Sequence, residues 1–231
     1  LKALGTEKGD RIVALCTQDA DFLVLQGAVQ LCGAVFVPLE KSASEENIDR
    51  IVKDTEAVLY LPGGLKSVCE ALKAESPEEQ FLCGDDFHGS VEEEGVPDAE
   101  IKDIAFPKGS DIGEILYTTG TTGKSKGVVL THSASLACAE NVEKAVNMKN
   151  DNVELIVTPL NHSFSLRRYY ANMLAGGSAV ILNGVLNIKK YYEAMDKYGV
   201  TALALVPAVI TVLMKLSKGK LNEYASVIRY A

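Results

Sequence analysis

Two hydrophobic rhythms alternate along this chain. Residues 11–17 (RIVALCT) and 34–39 (AVFVPL) are nearly unbroken apolar runs and read as buried strands, the second closed by Pro38. Between them Phe22, Leu25, Val29 and Cys32 recur at helical spacing behind Asp19, an N-cap residue, so 19–31 reads as a helix and the three segments as a β-α-β unit. Gly33 follows as an ordinary helix-ending glycine. Ser42 with Glu45 forms a capping-box signal for a helix through Asp54, with Ile48, Ile51 and Val52 facing inward. A strand at 57–61, a short helix at 65–74 and a strand at 80–83 come next.

The rhythm resumes after residue 112. A strand, a glycine–threonine loop and a second strand (Val128, Val129, Leu130, Thr131) lead into a helix over 133–148, with Leu136, Ala139, Val142 and Val146 on its apolar face. Then follow a strand at 153–157, a helix to Leu174, a Gly176-Gly177 break and a strand at 178–182. A helix at 188–198, a strand at 200–206 and a helix at 207–216 with Pro207 in its first turn complete the pattern, and 226–230 begins one more strand. Repeated strand–helix units predict an α/β fold, a layered and mostly parallel β-sheet flanked by helices, which binds ligands at the carboxyl ends of its strands.

Composition narrows the function classes. With 231 residues, 47% hydrophobic and 23% charged, the chain can bury a proper core. It has no Trp, 6% aromatics and a net charge of −8, which argues against a nucleic-acid surface built from a basic stripe and stacking rings. Eight acids against one base between Gly84 and Asp103 carry most of that charge. With Gly95, Pro97 and Pro107 they mark 84–112 as a solvated acidic linker, whose field is screened within about 8 Å and need not repel an anionic nucleotide elsewhere. Five scattered cysteines without a C-x-x-C pair read as a reduced, cytoplasmic interior, and three distant histidines give no zinc spacing. The opening LKALGTEKGDR has no signal-peptide pattern; the most apolar window, 200–214, is shorter than the roughly 20 residues of a membrane span and holds Pro207, so no transmembrane segment is expected.

The chemistry concentrates in LYTTGTTGKSKGVVLTH, residues 116–132. Gly120, Gly123 and Gly127 let backbone N–H groups converge on an anion, Thr118, Thr119, Thr121 and Thr122 add hydroxyls, and Lys124 and Lys126 bring charge. A P-loop would need glycine at position 118, where Thr118 stands, and would run into a helix rather than the strand read here. No G-x-G-x-x-G can be laid over these glycines either.

From Tyr117 to Gly127 the stretch resembles the signature of the adenylate-forming (AMP-binding) enzymes, the superfamily of acyl-CoA synthetases, luciferases and peptide-synthetase adenylation domains, approximately [YF]-T-S-G-T-T-G-x-P-K-G. It departs at Thr119, which keeps the hydroxyl, and at Ser125, where proline is usual and whose loss frees a backbone torsion. Gln30–Ser44 (QLCGAVFVPLEKSAS) is similar to a second family segment, A-x-x-x-G-A-x-x-V-P-L-[DN]-P, with Glu40 at the acidic position and Lys41 for the proline. Pro159-Leu160-Asn161-His162-Ser163-Phe164-Ser165 resembles a third, P-L-[FWY]-H-x-[FY]-G, with Asn161 for the aromatic and Ser165 for the glycine. Arg167 and Arg168 invite a carboxylate or phosphate clamp, but neighbouring helical positions point apart and solvated arginines are the commoner case.

The resemblance implies that Thr118, Thr119, Gly120, Thr121, Thr122, Gly123 and Lys126 bind the nucleotide's phosphates and that His162 shapes the entrance for the carboxylate. It implies ATP, Mg²⁺ and coenzyme A: a carboxylic acid, a fatty acid in the commonest case, is activated as acyl-adenylate and passed to a thiol. The same resemblance assigns 1–231 to an incomplete N-terminal AMP-binding domain, with its phosphate-binding loop at 117–127. The adenine-gripping parts, the metal-linked glutamate, the ribose-binding aspartate and the C-terminal domain with its catalytic lysine would then lie beyond Ala231. No catalytic residue is expected within 1–231, and this piece alone is expected to be inactive. An adenylation domain charging a carrier protein with an amino or aryl acid, and a non-enzymatic nucleotide-binding module, are the other two readings.

Overall fold

The computed structural model describes residues 1–75, 106–118 and 125–231, which divide into two compact units, Leu1–His132 and Ser133–Ala231. The strand expected at 80–83 and residues 84–105 of the acidic linker lie outside the described residues.

In the first unit β1 (Arg11–Leu15) pairs in parallel with β2 (Val35–Leu39) and with β3 (Leu59–Leu61). Then β2 lies parallel to β4 (Ile112–Thr118), and β4 pairs antiparallel with β5 (Lys126–Thr131), giving the order β3-β1-β2-β4-β5. The antiparallel pair departs from the parallel rule because so short a connection can return the chain only as a hairpin. Ile12 and Val13 are both fully buried although they point to opposite faces, which is the mark of a strand covered on both sides. Helices α1 (Ala20–Leu31), α2 (Glu45–Thr55) and α3 (Leu65–Glu75) belong to this unit. Phe22 of α1 meets Phe36 of β2 edge to face at 5.3 Å, and Ile48 and Ile51 of α2 pack on Val13, Val37 and Leu39.

The helix starts show which local signals won. Asp19 caps α1, its carboxylate accepting from Phe22 N at 3.0 Å, and Gly33 past the end takes φ 74°, where a side chain would be strained. For α2 the cap is Ser44 rather than Ser42. The Ser44 hydroxyl accepts from Asn47 N, and this frame puts Glu45 and Glu46 into the first turn, where the helix dipole favours them. Pro38 lies inside β2, opposite Ala14, instead of closing it.

In the second unit α4 (His132–Ala145) leads to a three-stranded parallel sheet of order β7-β6-β8, built from β6 (Val153–Ile156), β7 (Ser178–Ile181) and β8 (Ala202–Ala204). Helices α5 (Ser163–Ala175), α6 (Ile188–Tyr198) and α7 (Pro207–Leu216) alternate with the strands. Leu155, Tyr191, Tyr192, Met195, Leu203 and Leu213 form the core. The strands are mostly parallel, as expected, but they divide into two sheets. Leu136, expected on the apolar face of α4, is 46% exposed, while Ala139 of the same helix is buried against Met148 and Ala171. The strand expected at 226–230 shrinks to one parallel bridge between Tyr230 and Ala202, because turn bonds from Val227 N and Ile228 N to Tyr224 O hold the preceding residues out of the ladder.

Candidate functional site

The glycine–threonine stretch emerges from a hairpin neck. Thr118, the last residue of β4, lies opposite Lys126, the first of β5, so the two close a loop over positions 119–125. Both side chains are exposed, and the Thr118 hydroxyl lies 3.5 Å from the Lys126 carbonyl oxygen. An ammonium and a hydroxyl therefore stand at the two roots of the loop, where an anion held by the loop would need them. Thr119, Gly120, Thr121, Thr122, Gly123 and Lys124 lie outside the described residues.

Sequence reasoning missed what holds the neck. One pair inward, Tyr117 faces Gly127 across the ladder, and a Cβ at Gly127 would meet Ile115 Cγ2 at 3.0 Å and Tyr117 Cζ at 3.1 Å. The aromatic ring covers the strand glycine, which explains a glycine here without any ligand. The Tyr117 hydroxyl donates to Asp54 Oδ2 of α2 at 2.5 Å, and burial together with that carboxylate pushes the phenol well above its usual range. Arg50, one turn earlier on α2, lies 5.8 Å over the Tyr117 ring and donates to Asn47 Oδ1 at 2.8 Å and to the Ser125 hydroxyl. These partners are 63 and 75 residues apart in sequence, and no local pattern links them. Gly127→Ala is expected to displace the Tyr117 ring and lower stability by about 1–3 kcal/mol, read as a drop in the denaturation midpoint of the chain by circular dichroism.

His162 belongs to the second unit, in the loop that follows β6. It is exposed and occupies the N-cap position of α5 without capping through its ring. The turn behind it is fixed by Ser165, whose fully buried hydroxyl lies 2.6 Å from that of Thr158 and donates to the Thr158 carbonyl at 3.1 Å. Asn161 is also buried. Ser165, one of the two departures from the family pattern, thus holds the turn from inside, and His162 is left exposed.

Neither neighbouring arginine is solvated. Arg168 donates through Nε to Glu154 Oε1 at 2.5 Å and closes an ion pair with that fully buried carboxylate, which also accepts from Asn172 Nδ2 at 2.5 Å. Arg167 is buried and lies 5.3 Å over the Tyr170 ring. The carboxylate that Arg168 clamps is the chain's own.

Among the described residues no group of three or more His, Cys, Asp or Glu side chains is placed to hold a metal ion. No helix among them is long and apolar enough to cross a membrane.

The family model described as AMP-binding enzyme matches residues 1–230. The chain is similar to 4-coumarate–CoA ligase 3 of Arabidopsis thaliana, 29% identical over 226 residues that cover 93% of this chain and 40% of that protein. It is similar to bacitracin synthase 1 of Bacillus licheniformis, 25% identical over 99% of this chain and 4% of that protein. Among solved structures it resembles apo MatB from Rhodopseudomonas palustris, with a TM-score of 0.69, 25% identity and coverage of 93% of this chain and 42% of that one. The chain thus spans about two fifths of the length of the ligase-sized relatives it matches.

Proposed function

Because this chain belongs to the AMP-binding enzyme family, we propose that it is the N-terminal part of an ATP-dependent carboxylate–CoA ligase and supplies that enzyme's phosphate-binding loop. The observation that carries this reading is the pairing of Thr118 with Lys126 at the roots of the loop, within a match that runs over 1–230. In the reaction a carboxylate oxygen attacks the α-phosphorus of ATP and the bond to pyrophosphate breaks. The thiolate of coenzyme A then attacks the acyl carbon, and AMP leaves. Thr118 and Lys126, with Thr119–Gly123, hold the β- and γ-phosphates through hydroxyl and ammonium groups and offset the charge that builds on departing pyrophosphate. His162 lines the acid's entrance. Mg²⁺ would offset charge on the same phosphates.

The acid is a fatty acid in the first reading. A second reading, an aryl-propenoic acid, is favoured by the similarity to a ligase named for 4-coumarate. An adenylation domain that loads an amino or aryl acid onto a carrier protein is the third, favoured by the similarity to a bacitracin synthase. The test is ATP-dependent release of pyrophosphate by the protein that carries this chain in full, over a panel of fatty, aryl-propenoic and amino acids with coenzyme A as acceptor. Release with fatty acids and appearance of the thioester supports the first reading, and release with coumarate alone supports the second. Pyrophosphate with amino acids and no CoA thioester supports the carrier-protein reading. No release with any acid overturns adenylation.

A further inference from the structure

We propose that Arg50 is a positioning residue for the phosphate loop: it fixes the outgoing arm of the loop onto α2 through Ser125 and so sets where Lys126 emerges. The proposal rests on the phosphate-binding reading of that loop given above.

The argument starts from α2. Ile48 and Ile51 anchor this helix to the sheet, so its backbone is held by the core. Asn47, Arg50 and Asp54 are spaced three and four residues apart and therefore share one helix face. All three serve the hairpin neck, because Asn47 Oδ1 accepts from Arg50, Asp54 accepts from Tyr117 on β4, and Arg50 reaches Ser125 just ahead of β5. The guanidinium is also spread over the Tyr117 ring, so the same side chain touches β4 and the residue just ahead of β5.

Ser125 is the residue bonded directly to Lys126 in the chain, one peptide of about 3.8 Å away. The family pattern has proline at this position, and a proline restricts the arm by fixing φ. Here the chain has a free torsion and a hydroxyl, and the hydroxyl is held by Arg50. A side-chain tether to a rigid helix does from outside what a ring does from within.

Arg50→Met keeps the stem over Tyr117 and removes the donors. In the full-length parent it is expected to lower kcat for pyrophosphate release about tenfold, a part of what losing Lys126 itself would cost, with the KM for ATP changed less than threefold. Ser125→Pro in the Arg50→Met background is expected to return most of that loss, since the arm is again restricted. An unchanged kcat, or a double variant as impaired as Arg50→Met alone, overturns the proposal. Amide hydrogen exchange at 116–118 and 126–128 gives a readout that does not depend on turnover. It is expected to speed up about tenfold in Arg50→Met and to slow again in the double variant. If the wild-type parent releases no pyrophosphate, the adenylation reading fails while exchange still decides the tether: unchanged exchange overturns it.

Discussion

Arg168→Met is expected to destabilise the chain by about 3–5 kcal/mol at pH 8, the loss typical of leaving one partner of a buried ion pair alone. Glu154 is fully buried on β6, and its two oxygens are taken by Arg168 and Asn172. Asn172 accepts in turn from Asn152 Nδ2 at 2.6 Å, and Asn152 Oδ1 accepts from the Tyr230 hydroxyl at 2.9 Å. The network thus ties β6 and α5 to the segment ending at Tyr230, and Arg168 also lies 5.0 Å over the Tyr230 ring.

Burial pushes the Glu154 carboxyl above its ordinary value, while the Arg168 charge and the Asn172 and Arg168 hydrogen bonds pull it back down. A folded value above the unfolded one, about 4.3, means that Glu154 favours the fold fully below pH 4.3 and loses that contribution as pH rises through the folded value. Removing Arg168 moves the folded value higher still. The deficit of Arg168→Met should therefore be small near pH 5 and grow toward pH 8. Adding Glu154→Gln should remove most of the pH dependence, because the buried group no longer ionises. Denaturant unfolding of the three proteins at both pH values checks this, and a deficit independent of pH would show that Arg168 acts through packing alone.

Legibility in the sequence tracked how local each cause was. Helix α6 (Ile188–Tyr198) and helix α7 (Pro207–Leu216) match the sequence reading to the residue; Pro207 marks the start of α7, and the structure adds Asn187 as the cap of α6. The capping signal in the sequence falls at Ser42, whereas the structure caps α2 with Ser44, two residues on, in the frame in which Ile48 and Ile51 are buried. The division into two sheets depends on which strands find each other across long stretches, and no periodicity records that. The site divides the same way. That Thr118 and Lys126 flank one loop was legible because a contiguous motif holds them, whereas Arg50 and Asp54 come from a helix with no motif of its own. Arg167 and Arg168 looked like solvated residues because the carboxylate that buries Arg168, Glu154, sits inside a strand otherwise read as apolar.

Lys126→Ala is expected to lower kcat for pyrophosphate release in the full-length parent about 100-fold, with stability changed by no more than about 0.5 kcal/mol. The two expectations follow from one geometry. Lys126 starts β5, is exposed, and makes no ion pair with any described residue, so its side chain contributes little to the fold. Lys126 stands at the root of the loop, opposite Thr118, and in the function proposed above its ammonium offsets the charge that phosphate oxygens gain as the bond to pyrophosphate breaks. A donor aimed at charge that develops during the reaction acts on kcat; one that merely binds ATP acts on KM. Lys126→Arg keeps the charge but replaces a compact ammonium by a planar fork, so it should recover part of kcat and not all of it. A Lys126→Ala protein that keeps its kcat and loses only ATP affinity would make this lysine a ground-state anchor, and the charge-offsetting role would pass to residues of the loop itself.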